Sequence, residues 1–529
     1  MKHMQDPPSV QIDGRHLTID DVHTIARDQM KVSISQEAIE RVERSAETVR
    51  RVAAAEAPVY GVNTGFGIFS DRRIDADKSA SLSRNLVLSH AISIGEPFPI
   101  DVVRAAMAIR ANTFACGYSG VRTIIIETLL KMLNREVTPF IPCQGSLGSS
   151  GDLTPLANMA LVFSYHPLEE QKHSGRAWFQ GDLIDGEKAM ALAGIDRIVL
   201  GPKEGLAITN GATFSAAILS LACIDIQRVL LSAEISAAMV LESLLGASNA
   251  FDLRLHDARP HPGQVAVARR IRALTSGSDM IDSDNRVQDA YSLRCTPQVL
   301  GPAWETLHFT TDIVSREINS ATDNPLIFGD DTVSGGNFHG EPLGLAADYL
   351  KISLTNIASM AERRIYRLTD AHTSAGLPPM LVSCKEEAGL HSGFMMLQYV
   401  AASLALENQT LATPDTIHSL PTSAGQEDFN ANSTTAARHL TQILSNLTKV
   451  LAIELLSSTR AIDLRLKDKP DLKLAKGTSL VHQFVRDKIP FHGADRPITN
   501  EIELLANDIL SGELFEAVAD ELGDTFDTA

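Results

Sequence analysis

Residues 145–152 read Gly-Ser-Leu-Gly-Ser-Ser-Gly-Asp, followed by Leu-Thr-Pro-Leu. A phosphate-cradling loop would need Gly-Lys-Ser/Thr, which is missing. A nucleophile elbow would need a G-x-S-x-G register, and none fits. Two readings stay open on this stretch alone. In one, it is a flexible turn before a helix capped by Asp152. In the other, the backbone itself reacts. Gly151 has no side chain, so its amide nitrogen can reach the carbonyl carbon of Ser149 and close a five-membered ring. Loss of the Ser150 hydroxyl as water then leaves an exocyclic methylidene. The product is a methylidene-imidazolone, an electrophile that needs no external cofactor.

Other polar clusters point to structure. His256 and His261 lack H-E-x-x-H spacing, so no zinc site is expected. Gly65 and Gly67 lack the third glycine and following acid of a dinucleotide fold. Arg269, Arg270 and Arg272 read as a solvated helix face.

The elements that must position the turn are mostly helical. A helix is expected from Ser35, with Gln36 and Glu37 in its first turn, ending before Pro58. Apolar helical runs follow at 101–115 and 121–133. From Leu206 to Leu245 there is no proline and only Gly211 interrupts; as one helix that is about 60 Å. Further long stretches lie at 303–320, 343–370, 387–410 and 431–465. In the last, Leu440, Ile443, Leu444, Leu447, Val450 and Leu451 keep amphipathic helical spacing. Such helices pack economically side by side.

The expected organisation is a mixed, loop-rich N-terminal region over 1–200, a long-helix bundle over 201–466 and a helical tail over 467–529. Residues 1 to about 10 read as a frayed tail. The 529 residues give a prior of roughly three domains. Lys and Arg number 47 and Asp and Glu 65, a net charge of −18. That argues against a nucleic-acid or anionic-membrane surface as main partner. No run of 18 residues is apolar and free of charge, so no membrane-spanning helix is expected. The N-terminus carries no apolar signal core. Five cysteines without a Cys-x-x-Cys pair suit reduced thiols in the cytoplasm.

From about residue 15 to 500 the sequence resembles the aromatic amino acid ammonia-lyase family. The landmarks stand in order: residues 60–67 (YGVNTGFG), 85–91 (NLVLSHA), 148–153 (GSSGDL), 203–207 (KEGLA) with Asn210, 259–264 (RPHPGQ), 288–295 (QDAYSLRC), 323–325 (DNP), 335–342 (GGNFHGEP) and 426–428 (QED). The resemblance implies a mainly α fold of the fumarase and aspartase type, with a long central bundle. It also implies a homotetramer whose active sites borrow residues from neighbouring subunits.

In such a site Ser149, Ser150 and Gly151 supply the electrophile, and Tyr60 is the candidate base. A tyrosine near pKa 10 must be lowered by its surroundings to serve near neutral pH. Tyr291 and Asn210 hold the electrophile and the amine. Arg294 takes the carboxylate through its planar fork. Gln288 and Phe338 line the site. Substrate choice falls to the pair Ser89-His90 and to Glu427, and histidine-specific members resemble this sequence at both. Glu427 and His90 can hydrogen-bond the two nitrogens of an imidazole, whereas a phenyl ring leaves that carboxylate unpaired at about 1–3 kcal/mol.

The expected reaction is non-oxidative removal of ammonia from L-histidine, giving trans-urocanate. The chain departs from the family at Ser149 (usually Ala), at Thr154 and Asn158 (Ala and His), at Thr296 (Gln), and at Gly425 and Phe429 (Asn and His). These departures keep a second expectation open: a lyase or 2,3-aminomutase of the same family acting on phenylalanine, tyrosine or another aromatic amino acid. A third is a non-catalytic binding member in which the triad never cyclises.

Overall fold

The computed structural model describes residues 9–65, 67–69, 72–169 and 171–523. Most of the expected frayed tail, residues 1–8, lies outside them. The chain is mainly helical, with nineteen α-helices among the described residues and only small sheets of two or three strands. Ser9–Ile12 is a strand paired in parallel with Lys31–Ile34.

Local sequence signals place several elements as expected. The helix Gln36–Ala54 is capped by Ser35, whose hydroxyl accepts from the Ala38 amide at 3.2 Å. Ile100–Ala115 and Thr123–Asn134 match the two apolar runs that follow. Ser433–Asp468 buries Leu440, Ile443, Leu444, Leu447, Val450 and Leu451, the stripe that its periodicity specifies.

Two helices differ from expectation. The run from Leu206 is broken: Glu204–Thr209 ends at Asn210, and Thr213–Ser243 begins after Gly211. At φ +119° Gly211 leaves helical geometry, and its amide and carbonyl bond to Ser150 and Asp152 instead of to a helix. The run from 387 becomes helical only at Met395. Upstream, the Asp495 carboxylate accepts from the amides of Ser392 at 2.7 Å and Gly393 at 3.0 Å, which holds that stretch as a loop.

Thr213–Ser243 is long and apolar enough to cross a membrane by length and composition. In this protein 78% of its most apolar window is buried, as in a core helix. It carries Asp225, Arg228, Glu234 and Glu242 along its length.

The chain forms two compact units, each discontinuous in sequence, whereas the segments expected from the sequence are continuous. The first comprises residues 1–224, 310–348 and 414–438; the second comprises 225–309, 349–413 and 439–529. In the second, buried charges supplement apolar packing. The Glu234 carboxylate accepts from Arg270 at 2.6 and 2.7 Å and from the Trp304 indole at 2.7 Å. Glu454 accepts from Arg364 Nε at 2.5 Å and the Ser236 hydroxyl at 2.6 Å. A carboxylate at such depth persists only with donors on both oxygens. The first unit carries the turn 145–152.

Candidate active site

The turn 145–152 is held by backbone and buried hydroxyls, with no secondary structure of its own until Leu153 begins a helix. Asp152 is fully buried. As the residue before that helix it makes no side-chain cap bond. Its Oδ1 instead accepts from Ser146 Oγ at 2.8 Å and from Thr434 Oγ1, and its Oδ2 accepts from the Ser215 amide at 2.9 Å. Burial pushes its carboxyl up, and these donors oppose the shift. The Asp152 amide donates to Gly211 O at 2.9 Å and the Gly211 amide donates to Ser150 O at 3.1 Å. Asn210 Nδ2 donates to the same Ser150 oxygen at 2.6 Å.

Gly151 sits at φ +80°, and a Cβ there would lie 2.1 Å from the Gly211 carbonyl carbon. No other residue type fits that position without moving the backbone. A self-formed imidazolone asks for a side-chain-free third residue and for donors on the central carbonyl. Ser149-Ser150-Gly151 meets both requirements.

Above the turn opens a cavity of about 1270 Å³. Tyr60, His90, Ser149, Ser150, Asn210, Phe338 and Glu427 all line it, and so do Phe429 and His339. These residues belong to the first unit. Ser89 and His90 end the helix Ser79–His90. His90 Nδ1 lies 2.9 Å from the Leu86 carbonyl, so this nitrogen carries the proton that it donates. Burial pushes the imidazole below its ordinary value, against the Leu86 bond and the nearby Glu427 charge. His90 is therefore neutral at pH 7. Glu427 stands on a hairpin closed by the Thr422 amide donating to Glu427 O at 2.7 Å.

The Tyr60 phenol is pushed up, first by burial and then by the Glu427 charge, while a bond from the Gly67 backbone pulls it down. In the single chain its surroundings thus oppose deprotonation. Phe338 lies on a turn whose Gly335 amide donates to Asn324 Oδ1 at 2.7 Å, and the Gly340 amide donates to Gly148 O at 2.9 Å.

Gln288, Tyr291 and Arg294 lie elsewhere, in the second unit. Gln288 and Arg294 line a separate depression of about 570 Å³, with Asn249, Asp252 and Asp289. Tyr291 is 70% exposed. The Arg294 guanidinium lies 4.6 Å from the centre of its ring, and Arg294 Nε is buried without a hydrogen-bond partner. The structure therefore gathers eight of the eleven expected site residues, counting Gly151 within the turn, and leaves the other three out of the cavity lining.

Several supporting contacts are announced by no local signal in the sequence. The fully buried Lys203 donates to Asp323 at 2.6 Å and to Ser119 O at 2.7 Å, just before the short helix that ends at Asn210. Arg110, also buried, donates to the Asn210 carbonyl. Asn430 bonds to Ser149. The landmark stretches contain Lys203 and Asp323, but their pairing spans 120 residues and no local signal joins them. Among the described residues no group of three or more His, Cys, Asp and Glu side chains is gathered to hold a metal.

The family model of aromatic amino acid lyases matches residues 17–487. A histidine ammonia-lyase of Caldanaerobacter subterraneus subsp. tengcongensis is 44% identical over 516 residues, covering 97% of this chain and 98% of its own. Among solved structures, the tyrosine aminomutase from Streptomyces globisporus superposes with a TM-score of 0.89 at 35% identity, covering 97% of this chain and 99% of its own. The histidine ammonia-lyase from Trypanosoma cruzi gives 0.87 at 33% identity, covering 98% and 96%.

Proposed function

Because the chain belongs to the aromatic amino acid lyase family, we propose that it removes ammonia from L-histidine to give trans-urocanate. It is a carbon–nitrogen lyase. The observation that carries the substrate is the joint placement of His90 and Glu427 on the cavity wall that also holds Ser150.

The Ser149-Ser150-Gly151 turn fits a self-formed methylidene-imidazolone, which supplies an electrophilic carbon that makes the substrate amine a leaving group. Asn210 and the Gly211 amide hold the carbonyl oxygen of Ser150. Phe338 packs beside the substrate. Glu427 accepts from one ring nitrogen of the imidazole. His90 spends its Nδ1 proton on Leu86, so its Nε2 offers a lone pair to the other nitrogen. Two acceptors suit a substrate ring with N–H on both nitrogens. That cation also offsets the Glu427 charge that helps hold the Tyr60 proton. Tyr60 then takes the β-proton.

Arg72 is the guanidinium on the first-unit cavity wall, whereas Arg294, the expected carboxylate ligand, is absent from it. Gln288, Tyr291 and Arg294 reach it from a second copy of the chain in a homotetramer. The unpartnered Arg294 Nε and the exposed Tyr291 support this reading. All five cysteines are free thiols, which suits a cytoplasmic enzyme. No nucleic acid, membrane or external cofactor enters the scheme.

The test is an ultraviolet assay with L-histidine, L-phenylalanine and L-tyrosine in parallel, with Ser150→Ala as control. Each elimination product is a conjugated acid that absorbs more strongly than its substrate. A rise with histidine alone, absent in Ser150→Ala, is expected; a rise with phenylalanine or tyrosine instead overturns the substrate. A second reading, a 2,3-aminomutase, draws on Phe429 in the cavity wall, stacked on His339 with ring centres 6.0 Å apart. Phe429 adds an apolar ring to a wall that also carries His90 and Glu427. Chromatography of the same mixtures for a β-amino acid decides between the two.

A further inference from the structure

Asn430 is 1% exposed, and its backbone amide and both side-chain polar atoms bond to two segments. Its amide nitrogen donates to Ser419 Oγ at 2.9 Å, and its Oδ1 accepts from the Leu420 amide at 3.0 Å. Those bonds close the base of the 419–430 hairpin, whose tip is tied by Thr422 and Glu427. They also orient the side-chain amide, so that Nδ2 faces the reactive turn. There it donates to Ser149 Oγ at 3.0 Å, and Ser149 is itself buried. The hairpin carries Glu427 and the turn carries the ring-forming residues. The Ser149 hydroxyl, in place of the usual methyl, is what gives Asn430 something to hold.

We propose that the Ser149–Asn430 hydrogen bond is a latch fixing the 419–430 hairpin, and with it Glu427, against the reactive turn. Asn430 is a positioning residue for substrate recognition and touches no reacting atom; Ser149, whose backbone closes the ring, gives only its hydroxyl to the latch. The inference rests on the reading of Glu427 as the group that recognises the substrate ring.

The test compares full-length wild type, Ser149→Ala, Asn430→Ala and the double variant by hydrogen exchange of the 419–430 amides, intact mass and steady-state kinetics on L-histidine. In Ser149→Ala a buried amide proton loses its acceptor. Exchange across 419–430 should quicken roughly two- to tenfold, with the rest of the chain unchanged. KM should rise by a similar factor, and the mass loss of two waters should remain. The double variant should exchange like Asn430→Ala alone, because Asn430→Ala has already removed the bond that Ser149→Ala deletes.

Unchanged exchange and KM in Ser149→Ala overturn the latch, as does faster exchange spread over the whole chain. Ser149→Ala deletes only one hydroxyl, so the comparison survives a misfolded Asn430→Ala. If the wild type shows no lyase activity, the reading of the substrate falls while the exchange comparison still decides the latch.

Discussion

Asn210 Nδ2 lies 2.6 Å from the carbonyl oxygen of Ser150, and the Gly211 amide shares that oxygen at 3.1 Å. The two donors exist because the chain leaves helical geometry at Asn210 and Gly211. Preorganised donors act most strongly where charge develops on an oxygen. Asn210→Ala should therefore lower kcat by about 100-fold, the cost typical of removing one such donor. Intact mass should show incomplete loss of two waters. A variant with wild-type kcat and full mass loss would remove Asn210 from the site.

The Glu427 charge is felt by both Tyr60 and His90, and it raises the pKa of each. Replacing it with glutamine removes one of the influences that keep the Tyr60 phenol protonated. If Tyr60 acts as base, the rate rises as pH passes through its pKa. In Glu427→Gln the rising limb of kcat/KM, which reports the free enzyme, should therefore move to lower pH, while KM for histidine increases. A limb that stays in place separates Tyr60 from the rate-limiting proton transfer.

His90 is a different kind of test, because its imidazole is held neutral by burial. His90→Leu removes the Nε2 acceptor and adds apolar surface. Loss of one specific hydrogen bond in a polar pocket should lower kcat/KM for histidine by roughly 10- to 100-fold and raise that for phenylalanine. Equal losses on both substrates would mean that His90 supports the helix end and does not read the ring.

Much of this was legible in the sequence, where signals are local. The Ser35 cap, the 440–451 stripe and the glycines of the 145–152 turn depend on neighbours within a turn or two of chain. Other features depend on partners far apart. The break at Gly211 arises because Ser150 and Asp152, some sixty residues upstream, compete for its backbone groups. Asp152 looks like a helix cap from its position, yet its carboxylate is turned to Ser146, Ser215 and Thr434. Asn430 has no pattern around it that announces a bond to Ser149, 281 positions earlier. The resemblance named Gln288, Tyr291 and Arg294 as site residues. It could not say that, within one chain, none of the three lines the cavity that Tyr60 lines.

That split makes a prediction about assembly. Tyr60→Phe removes the candidate base from the cavity, and Arg294→Ala removes the candidate carboxylate ligand, which lies outside the cavity lining. Each variant alone should be nearly inactive. If sites are built from two copies, coexpressed variants should regain activity, up to about a quarter of wild type under random mixing in a closed oligomer. Purified mixed oligomers without activity, confirmed as mixed by two affinity tags, would place both residues on a site within one chain.

Glu317, the last residue of the helix Thr296–Glu317, has its carboxyl pushed up to about 7 by burial and by the neighbouring Asp152 charge. The helix C-terminus also disfavours a negative charge there. In the unfolded chain the same carboxyl releases its proton near 4.5. Between those two values the unfolded state binds fewer protons than the folded one. Stability therefore falls as pH rises from about 4.5 to about 7 and changes little from this group beyond that. Glu317→Gln has no proton to release. Its melting temperature should exceed that of wild type at pH 8, and the advantage should shrink as pH is lowered toward 5. Parallel melting curves across that range would mean that Glu317 ionises in the folded protein as it does in water. Asp152 would then carry its charge at the end of the 145–152 turn with a second carboxylate beside it, an arrangement that like-charge repulsion opposes.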